Sequence, residues 1–385
     1  MEFGWEPEFI AFREEVRDFA ASVKTPELER ELAEAGEGYS NGPVVQSIRD
    51  EIDRRGWLRR AWPVEFGGEG KSPWYTYILN EELQLAGVPT TGGSASMIGP
   101  AIMRFGTEEQ KECYLPGLWS GEIRCALGYS EPNAGTDLAS LQTAAVRDGD
   151  DWLIRGQKLW TSGAHTSTHL WLAARTDPAA PKHRGISMFI VPIASPGVTV
   201  RPVWTMTMRT NEVFLEDVRI PHTALIGEEG RGWYVLANAL DHERVSLGGA
   251  GIGATFERLL GYIRECRPDI LENPAARLRL AELELDLRVQ RALSLTNASI
   301  VVRGETPTME ASMAKVWASE LRYRMTSMAM DLLGRSGVLA KGAEGAPLDG
   351  EIEDQYRFSP VQRFGGGTNE VMRNIIAQRG LGLPR

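Results

Sequence analysis

The chain has 385 residues, 42% of them hydrophobic, enough for a large buried core in two or three domains at roughly 100–200 residues each, which excludes disorder as its main state. Its 52 acidic and 42 basic residues leave a net charge of −10 with no Lys/Arg block, so nucleic acid is disfavoured as a partner. Three cysteines, Cys113, Cys125 and Cys266, contain no CxxC pair, which argues against a disulfide framework or structural zinc and fits a reducing, cytoplasmic setting.

The opening MEFGWEPEFIAFREE has no basic start, extended apolar run or cleavage site, so no signal peptide is expected. No stretch of about 18 apolar residues occurs, so no membrane span is expected either. From Pro7 to Val23, Phe9, Phe12, Val16, Phe19 and Val23 recur at spacings of three and four, which predicts an amphipathic helix. Helical patterns recur at Val45–Arg55, Tyr77–Leu85 and Glu108–Leu115, separated by Gly/Pro punctuation such as PVEFGGEG at 63–70.

After Arg124 the texture changes to short apolar runs, Trp152–Arg155, His169–Ala174 and Ser187–Pro192, with turn residues between them. Long helical patterns return over about 233–263, 272–302 and 309–334, with a shorter one after Thr368, and suggest an antiparallel bundle; GAEGAP at 342–347 reads as a flexible excursion. The expected domains are helical over 1–122, β-rich over 123–227 and a helical bundle over 228–385, an α+β order unlike alternating βαβ units. A parallel nucleotide-binding sheet is therefore not expected.

The run LGYSEPNAGTDLASLQT at 127–143 and GQKLWTSGA at 156–164 resemble the flavin-contact region of the acyl-CoA dehydrogenase family. GTEEQKECYLPGLWSGE at 106–122, FLEDVRIPHTALIGEEGRGW at 214–233 and FGGGTNEVMRNIIA at 364–377 follow in the family's order, so the resemblance spans almost the whole chain. It implies an N-terminal α-domain, a middle β-domain and a C-terminal four-helix bundle, with FAD as cofactor and an acyl-CoA thioester as substrate. In such enzymes a carboxylate removes the proton next to the thioester while the adjacent carbon gives a hydride to the flavin.

The resemblance assigns Leu127, Tyr129 and Ser130 to the flavin's pyrimidine edge, Trp160 to its flank and Ser162 to the ring nitrogen that receives hydride. It assigns Thr136 to the cofactor and the CoA phosphates, and Thr368 and Glu370 to the cofactor. Without the family, SEP at 130–132 is a turn-to-helix cap and Trp160 an ordinary buried aromatic.

The chain departs from the family pattern at the base. Many relatives carry Glu immediately before the last Gly-Thr, where this chain has Gly366, which takes no proton. A second family arrangement, similar to isovaleryl-CoA dehydrogenase, puts the base on a bundle helix in D-x-E-R. Asp241-His242-Glu243-Arg244 matches it, making Glu243 the candidate base and Arg244 a substrate-side residue; the plain alternative is a surface helix carboxylate. The backbone N–H of Gly366 could still polarise the thioester carbonyl.

Two motifs that relatives donate across subunits are degraded. Cys266 replaces the Arg of Y-x-x-x-R-x-x-F-G, Asp269-Ile270 replaces its Phe-Gly, and Arg264 and Arg267 are out of register; Asp331-Leu332-Leu333-Gly334-Arg335 replaces Q-x-x-G-G. The resemblance thus implies a chain that receives FAD contacts without supplying them, as one subunit of a two-plus-two heterotetramer with a homologous acyl-CoA dehydrogenase subunit. The chain looks similar to subunits of heteromeric actinobacterial enzymes that shorten steroid side chains, with electrons passing to an electron-transferring flavoprotein. The alternatives are a homotetramer with rearranged contacts, a non-catalytic partner subunit, and a flavin oxidase or monooxygenase on the same fold.

Several apparent signals carry less. GGAGIG at 248–253 imitates a dinucleotide fingerprint but follows a helical pattern instead of a strand. His165 and His169 lack an evident third ligand, no G-x-S-x-G elbow occurs, and FGGGTNE lacks the Lys of a phosphate loop, so neither metal chemistry nor acyl hydrolysis has a centre.

Overall fold

A computed structural model describes residues 4–35, 42–89, 93–246 and 249–384, with only the backbone of 33–35, 93 and 241–246. Helices α1 (Pro7–Val23), α2 (Pro26–Ala35), α3 (Pro43–Arg54), α4 (Trp74–Ala86), α5 (Gly93–Phe105) and α6 (Glu108–Ser120) come first. Strands β1 (Cys125–Gly128), β2 (Ala144–Asp148), β3 (Asp151–Lys158), β4 (His169–Arg175), β5 (Ile186–Pro192), β6 (Val198–Trp204), β7 (Arg209–Pro221) and β8 (Leu225–Ile226) follow. The chain then returns to helices α7 (Gly232–Ser246), α8 (Ala250–Cys266), α9 (Pro268–Glu272), α10 (Pro274–Val302), α11 (Thr308–Leu333), α12 (Glu351–Phe364) and α13 (Asn369–Ile375). The expected helical, β and helical order is what the structure holds.

Local chemistry sets these boundaries. Pro7 opens α1, and the predicted Phe9, Phe12, Val16 and Phe19 are its buried face. Thr107 and Gln110 form a reciprocal capping box at the start of α6, and Gly121 ends it with φ +79°. Asn273 caps α10 ahead of Pro274.

The chain forms two compact units. One comprises residues 25–76 and 89–243. Its sheet runs β6-β7-β3-β2-β4-β5-β8, with β1 beside β4. Every neighbouring pair is antiparallel except β1–β4 and β2–β4. The continuous apolar runs of β4 and β5 reflect burial on both faces. Trp171, Ala173, Met188 and Ile190 pack on one side with Ile98 and Ile102 of α5, Leu115 and Leu118 of α6, and Val235 and Ala239 of α7. Leu170, Leu172, Phe189 and Val191 point the other way, into a second core with Trp152, Ile154, Val213 and Val218.

The other unit comprises residues 1–24, 77–88 and 244–385. Ile252, Phe256 and Leu259 of α8, Leu280 and Leu283 of α10, Leu321, Met325 and Met328 of α11, and Ile352 of α12 form its core. A charged cluster joins α1 to α4: Arg13 pairs with Glu81 at 2.6 Å and with Glu82, and all three are buried. Tyr77 Oη donates to Glu81 at 2.7 Å, and burial followed by that carboxylate pushes the phenol well above its ordinary range.

The structure corrects three details. The helical pattern read over 233–263 is two helices, because Gly249 takes φ +72° ahead of α8. Helix α12 was not anticipated, because Pro360 lies inside it. Residues 342–347 form successive turns that end at the buried Pro347. Among the described residues no helix is long and apolar enough to cross a membrane.

Candidate active site

Two segments converge at one end of the sheet in the first unit. Strand β1 delivers half-buried Leu127 and then Tyr129, which is buried, and Ser130, half-buried. The chain reverses through Glu131–Ala134, whose backbones exchange hydrogen bonds of 2.9 and 3.1 Å, leaving Pro132, Asn133, Gly135 and Thr136 exposed. Leu159, just past β3, donates its N–H to Ser130 O at 2.9 Å, so the segment carrying Tyr129–Ser130 is tied to the one carrying Trp160–Ser162.

Trp160 takes φ +62°, a left-handed conformation rare for an aromatic residue, and its side chain is 55% exposed. A bulky side chain held in a costly backbone state and turned to solvent is the pattern of a residue kept for contact with something outside the fold. The backbone beside it is pinned. Thr161 N–H donates to Asn211 O at 2.9 Å, Asn211 Nδ2 donates to Thr161 O at 3.0 Å, and the Ser162 and Thr210 hydroxyls are 3.0 Å apart. Asn211 also lies 3.2 Å from His165 Nδ1. Burial, followed by the charge of Arg209, lowers the His165 pKa below its ordinary value, favouring a neutral ring.

The second unit holds Gly366, Thr368 and Glu370. Gly366 and Gly367 take φ +66° and +98°, a reversal that favours glycine, and Thr368 then caps α13 by accepting the Val371 N–H at 3.1 Å. Glu370 is exposed in the first turn of α13. Buried Lys315 of α11 donates to Gly367 O at 2.6 Å, Asn369 Oδ1 at 2.9 Å and Arg363 O at 3.3 Å, fixing this loop from below. Asn369 Nδ2 in turn donates to Glu320 at 3.0 Å. Glu243 and Arg244 lie on α7, and their side chains are outside the described residues.

The degraded donor positions are engaged locally. Arg267 forms two hydrogen bonds with Asp269, at 2.9 and 2.8 Å, and Asp331 pairs with Arg279 at 3.0 Å. Cys266 is exposed.

Sequence reasoning missed Lys158, Glu131, Thr210, Asn211 and Lys315. Lys158 carried a signal: a period of two from Trp152 and Ile154 puts it on the core face, where a lysine needs a partner.

The family descriptions Acyl-CoA dehydrogenase N-terminal, middle and C-terminal domain match residues 6–122, 126–218 and 230–381. The chain belongs to the acyl-CoA dehydrogenase family. It is 37% identical to acyl-CoA dehydrogenase FadE26 of Mycobacterium tuberculosis over 404 aligned positions, covering 100% of this chain and 99% of that protein. Among solved structures it is similar to the Tcur3481–Tcur3483 steroid ACAD at 38% identity and TM-score 0.91, with 100% of each chain covered. The ChsE4–ChsE5 complex from Mycobacterium tuberculosis matches at 37% identity and TM-score 0.90, again over 100% of each chain.

As an acyl-CoA dehydrogenase the chain is an FAD-dependent oxidoreductase. Its own residues fit a flavin: an exposed indole suits a flat aromatic ring system, and the hydroxyls of Ser130 and Ser162, both half-buried, are donors suited to ring nitrogen and carbonyl acceptors. When bound, the flavin supplies the two-electron acceptor for the reaction.

Proposed function

We propose that this chain is the FAD-binding, catalytic subunit of a heteromeric dehydrogenase that introduces an α,β double bond into a bulky acyl-CoA of the steroid side-chain class. Glu243 takes the α-proton as general base, and bound FAD would supply the acceptor for the β-hydrogen and its electron pair. Leu127, Tyr129, Ser130, Thr136, Trp160, Ser162, Thr368 and Glu370 serve the cofactor, and Thr136 and Arg244 serve the acyl-CoA substrate. The Gly366 N–H polarises the thioester carbonyl, so that negative charge developing on oxygen meets a fixed donor. Electrons pass on to an electron-transferring flavoprotein.

The observation that carries this reading is Gly366 itself. At a loop position where relatives carry the base there is a glycine at φ +66°, while D-x-E-R on α7 retains a carboxylate. The steroid and two-component descriptions of similar proteins support the substrate class and the assembly. Further support for a partner comes from α10, where Leu278, Leu285 and Val289, at helical spacing, are exposed.

Co-expression with homologous chains, followed by solution mass and FAD counting, tests the assembly. The expected complex has two copies of each chain and two FAD. A stable homotetramer of this chain alone, with one tightly held FAD per subunit and full activity, refutes it. For the base, Glu243→Gln should retain FAD but lose substrate-dependent flavin bleaching by about 10²–10⁴-fold or more. Near-normal anaerobic reduction would exclude Glu243.

A further inference from the structure

Lys158 is fully buried at the end of β3, on the core face with Trp152 and Ile154. Its ammonium group donates to Glu131 Oε1 at 2.8 Å and to the backbone carbonyl of Tyr129 at 3.1 Å. Glu131, also buried, accepts the backbone N–H groups of Gln142 at 2.7 Å and Thr143 at 2.8 Å. The pair is thus held by four directional bonds, and three of its partners are backbone groups on either side of the turn that carries Ser130.

An ion pair of this kind is a weak way to gain stability, because taking two charges out of water offsets most of their attraction. It is a strong way to fix geometry. The 132–137 stretch is largely exposed, so it has little apolar burial to hold one conformation. From Lys158 two routes run to the candidate flavin surface: the side chain to Tyr129 O, and the backbone through Leu159, which bonds Ser130 O, to Trp160. One residue therefore connects both segments. The pairing also keeps the Glu131 charge directed inward, on Lys158 and two amides, and away from a cofactor that gains negative charge when reduced.

We infer that Lys158 and Glu131 are a positioning pair that sets the spacing between the Tyr129–Ser130 backbone and the Trp160–Ser162 segment, and through it the affinity and electronic environment of the flavin. This rests on the reading of Ser130, Trp160 and Ser162 as flavin-contacting groups.

The test uses the full chain loaded with FAD and compares Lys158→Met, Glu131→Gln and the double variant. Each single change leaves one buried charge or its polar partners uncompensated and should lower the unfolding temperature. The double change removes both charges and should regain most of that loss. Positioning predicts that FAD binding is not regained: the double variant still lacks the donor to Tyr129 O, so its FAD dissociation constant should stay about ten-fold above that of the parent, the equivalent of one charge-assisted hydrogen bond. Its flavin absorption bands and reduction potential should stay shifted as well. Recovery of affinity, spectrum and potential together with stability overturns the proposal.

If the double variant does not fold, Glu131→Gln gives the reading alone, through amide exchange across 129–136. Faster exchange there with weakened FAD binding supports the pair, and unchanged exchange and affinity overturn it. Trp160→Phe and Ser162→Ala, measured alongside, separate the two failures. If they leave the flavin spectrum and affinity untouched, the site reading is wrong whatever the pair does.

Discussion

Trp160→Gly separates what this residue does for the fold from what it does for the cofactor. In the parent, φ +62° costs a non-glycine residue about 1–2 kcal/mol, which Gly does not bear. Against that relief, Gly adds about 0.4–1 kcal/mol of unfolded-state entropy. Because the side chain is 55% exposed, less than half of it is buried, and its removal forfeits about 1–2 kcal/mol of apolar burial. The sum lies between a gain of about 0.6 and a loss of about 2 kcal/mol, whereas truncating the fully buried Trp171 to Ala should cost about 3–5 kcal/mol. Flavin binding should move the other way. An aromatic contact contributes about 0.5–1.5 kcal/mol, so Trp160→Gly should weaken FAD roughly 2–10-fold, and Trp171→Ala only to the extent that it unfolds the protein. Chemical denaturation of the apoprotein and fluorescence titration with FAD give the two numbers. A Trp160→Gly variant as destabilised as Trp171→Ala, with unchanged FAD affinity, would refute the reasoning.

At Gly366, φ +66° means that any side chain carries backbone strain, so Gly366→Ala is the control for Gly366→Glu. Alanine should lower kcat/KM evenly across acyl-CoA shapes, and Glu should lower it for ring-bearing acyl groups about ten-fold further than for short straight ones; equal losses with Glu would remove Gly366 as a specificity element. Arg13→Met leaves Glu81 and Glu82 buried, with Tyr77 on Glu81 and the exposed Arg17 and Arg291 among their remaining partners, and should cost about 3–5 kcal/mol by denaturant titration, most of it recovered in Arg13→Met/Glu81→Gln/Glu82→Leu. Burial pushes the Glu131 carboxyl up, but the charge and hydrogen bond of Lys158 with those of Thr143 and Gln142 outweigh it, holding the pKa below the ordinary 4.5. The unfolded chain therefore binds this proton first. The stabilisation is complete above about pH 4.5 and lost as pH falls through the lower folded value, so Glu131→Gln should flatten the acid limb of the stability curve below that pH.

Elements whose burial follows one period were legible. Helix α1 shows its core face in Phe9, Phe12, Val16 and Phe19, and β4 and β5 show two-sided burial as unbroken apolar runs. Helix α12 was hidden because proline in a helix interior removes one backbone bond, which reads as a break. The structure repairs that defect locally. The carbonyl four residues before Pro360 belongs to Tyr356, and the Ser359 hydroxyl donates to it at 2.8 Å. A repair made by a neighbouring hydroxyl leaves no periodic trace. The candidate site divides the same way: motif residues such as Trp160 and Ser162 are read from chain order, whereas Glu131 and Lys158 are 27 positions apart and meet only after the sheet pairs.

The departures from the family pattern acquire a physical meaning from their partners. Arg267 is the basic residue next to the lost Arg position, and its solvent-screened surface pair with Asp269 is weak, so the ion pair does not itself prevent the guanidinium from turning toward a phosphate. The obstacle is covalent. Asp269 is two residues away and travels with Arg267, so a phosphate brought to one meets the carboxylate of the other, at a spacing where like charges repel. Asp331 has the same effect in place of the neutral Gln of the family motif, whose amide could donate where a carboxylate can only accept. The first motif has the neutral Cys266 in place of its cation and Asp269 close by, and the second has the Asp331 carboxylate in place of an amide, while the segment bearing Ser130, Trp160 and Ser162 carries hydroxyl donors and an exposed ring. On the proposed reading, a different subunit would supply the donors that these positions lack.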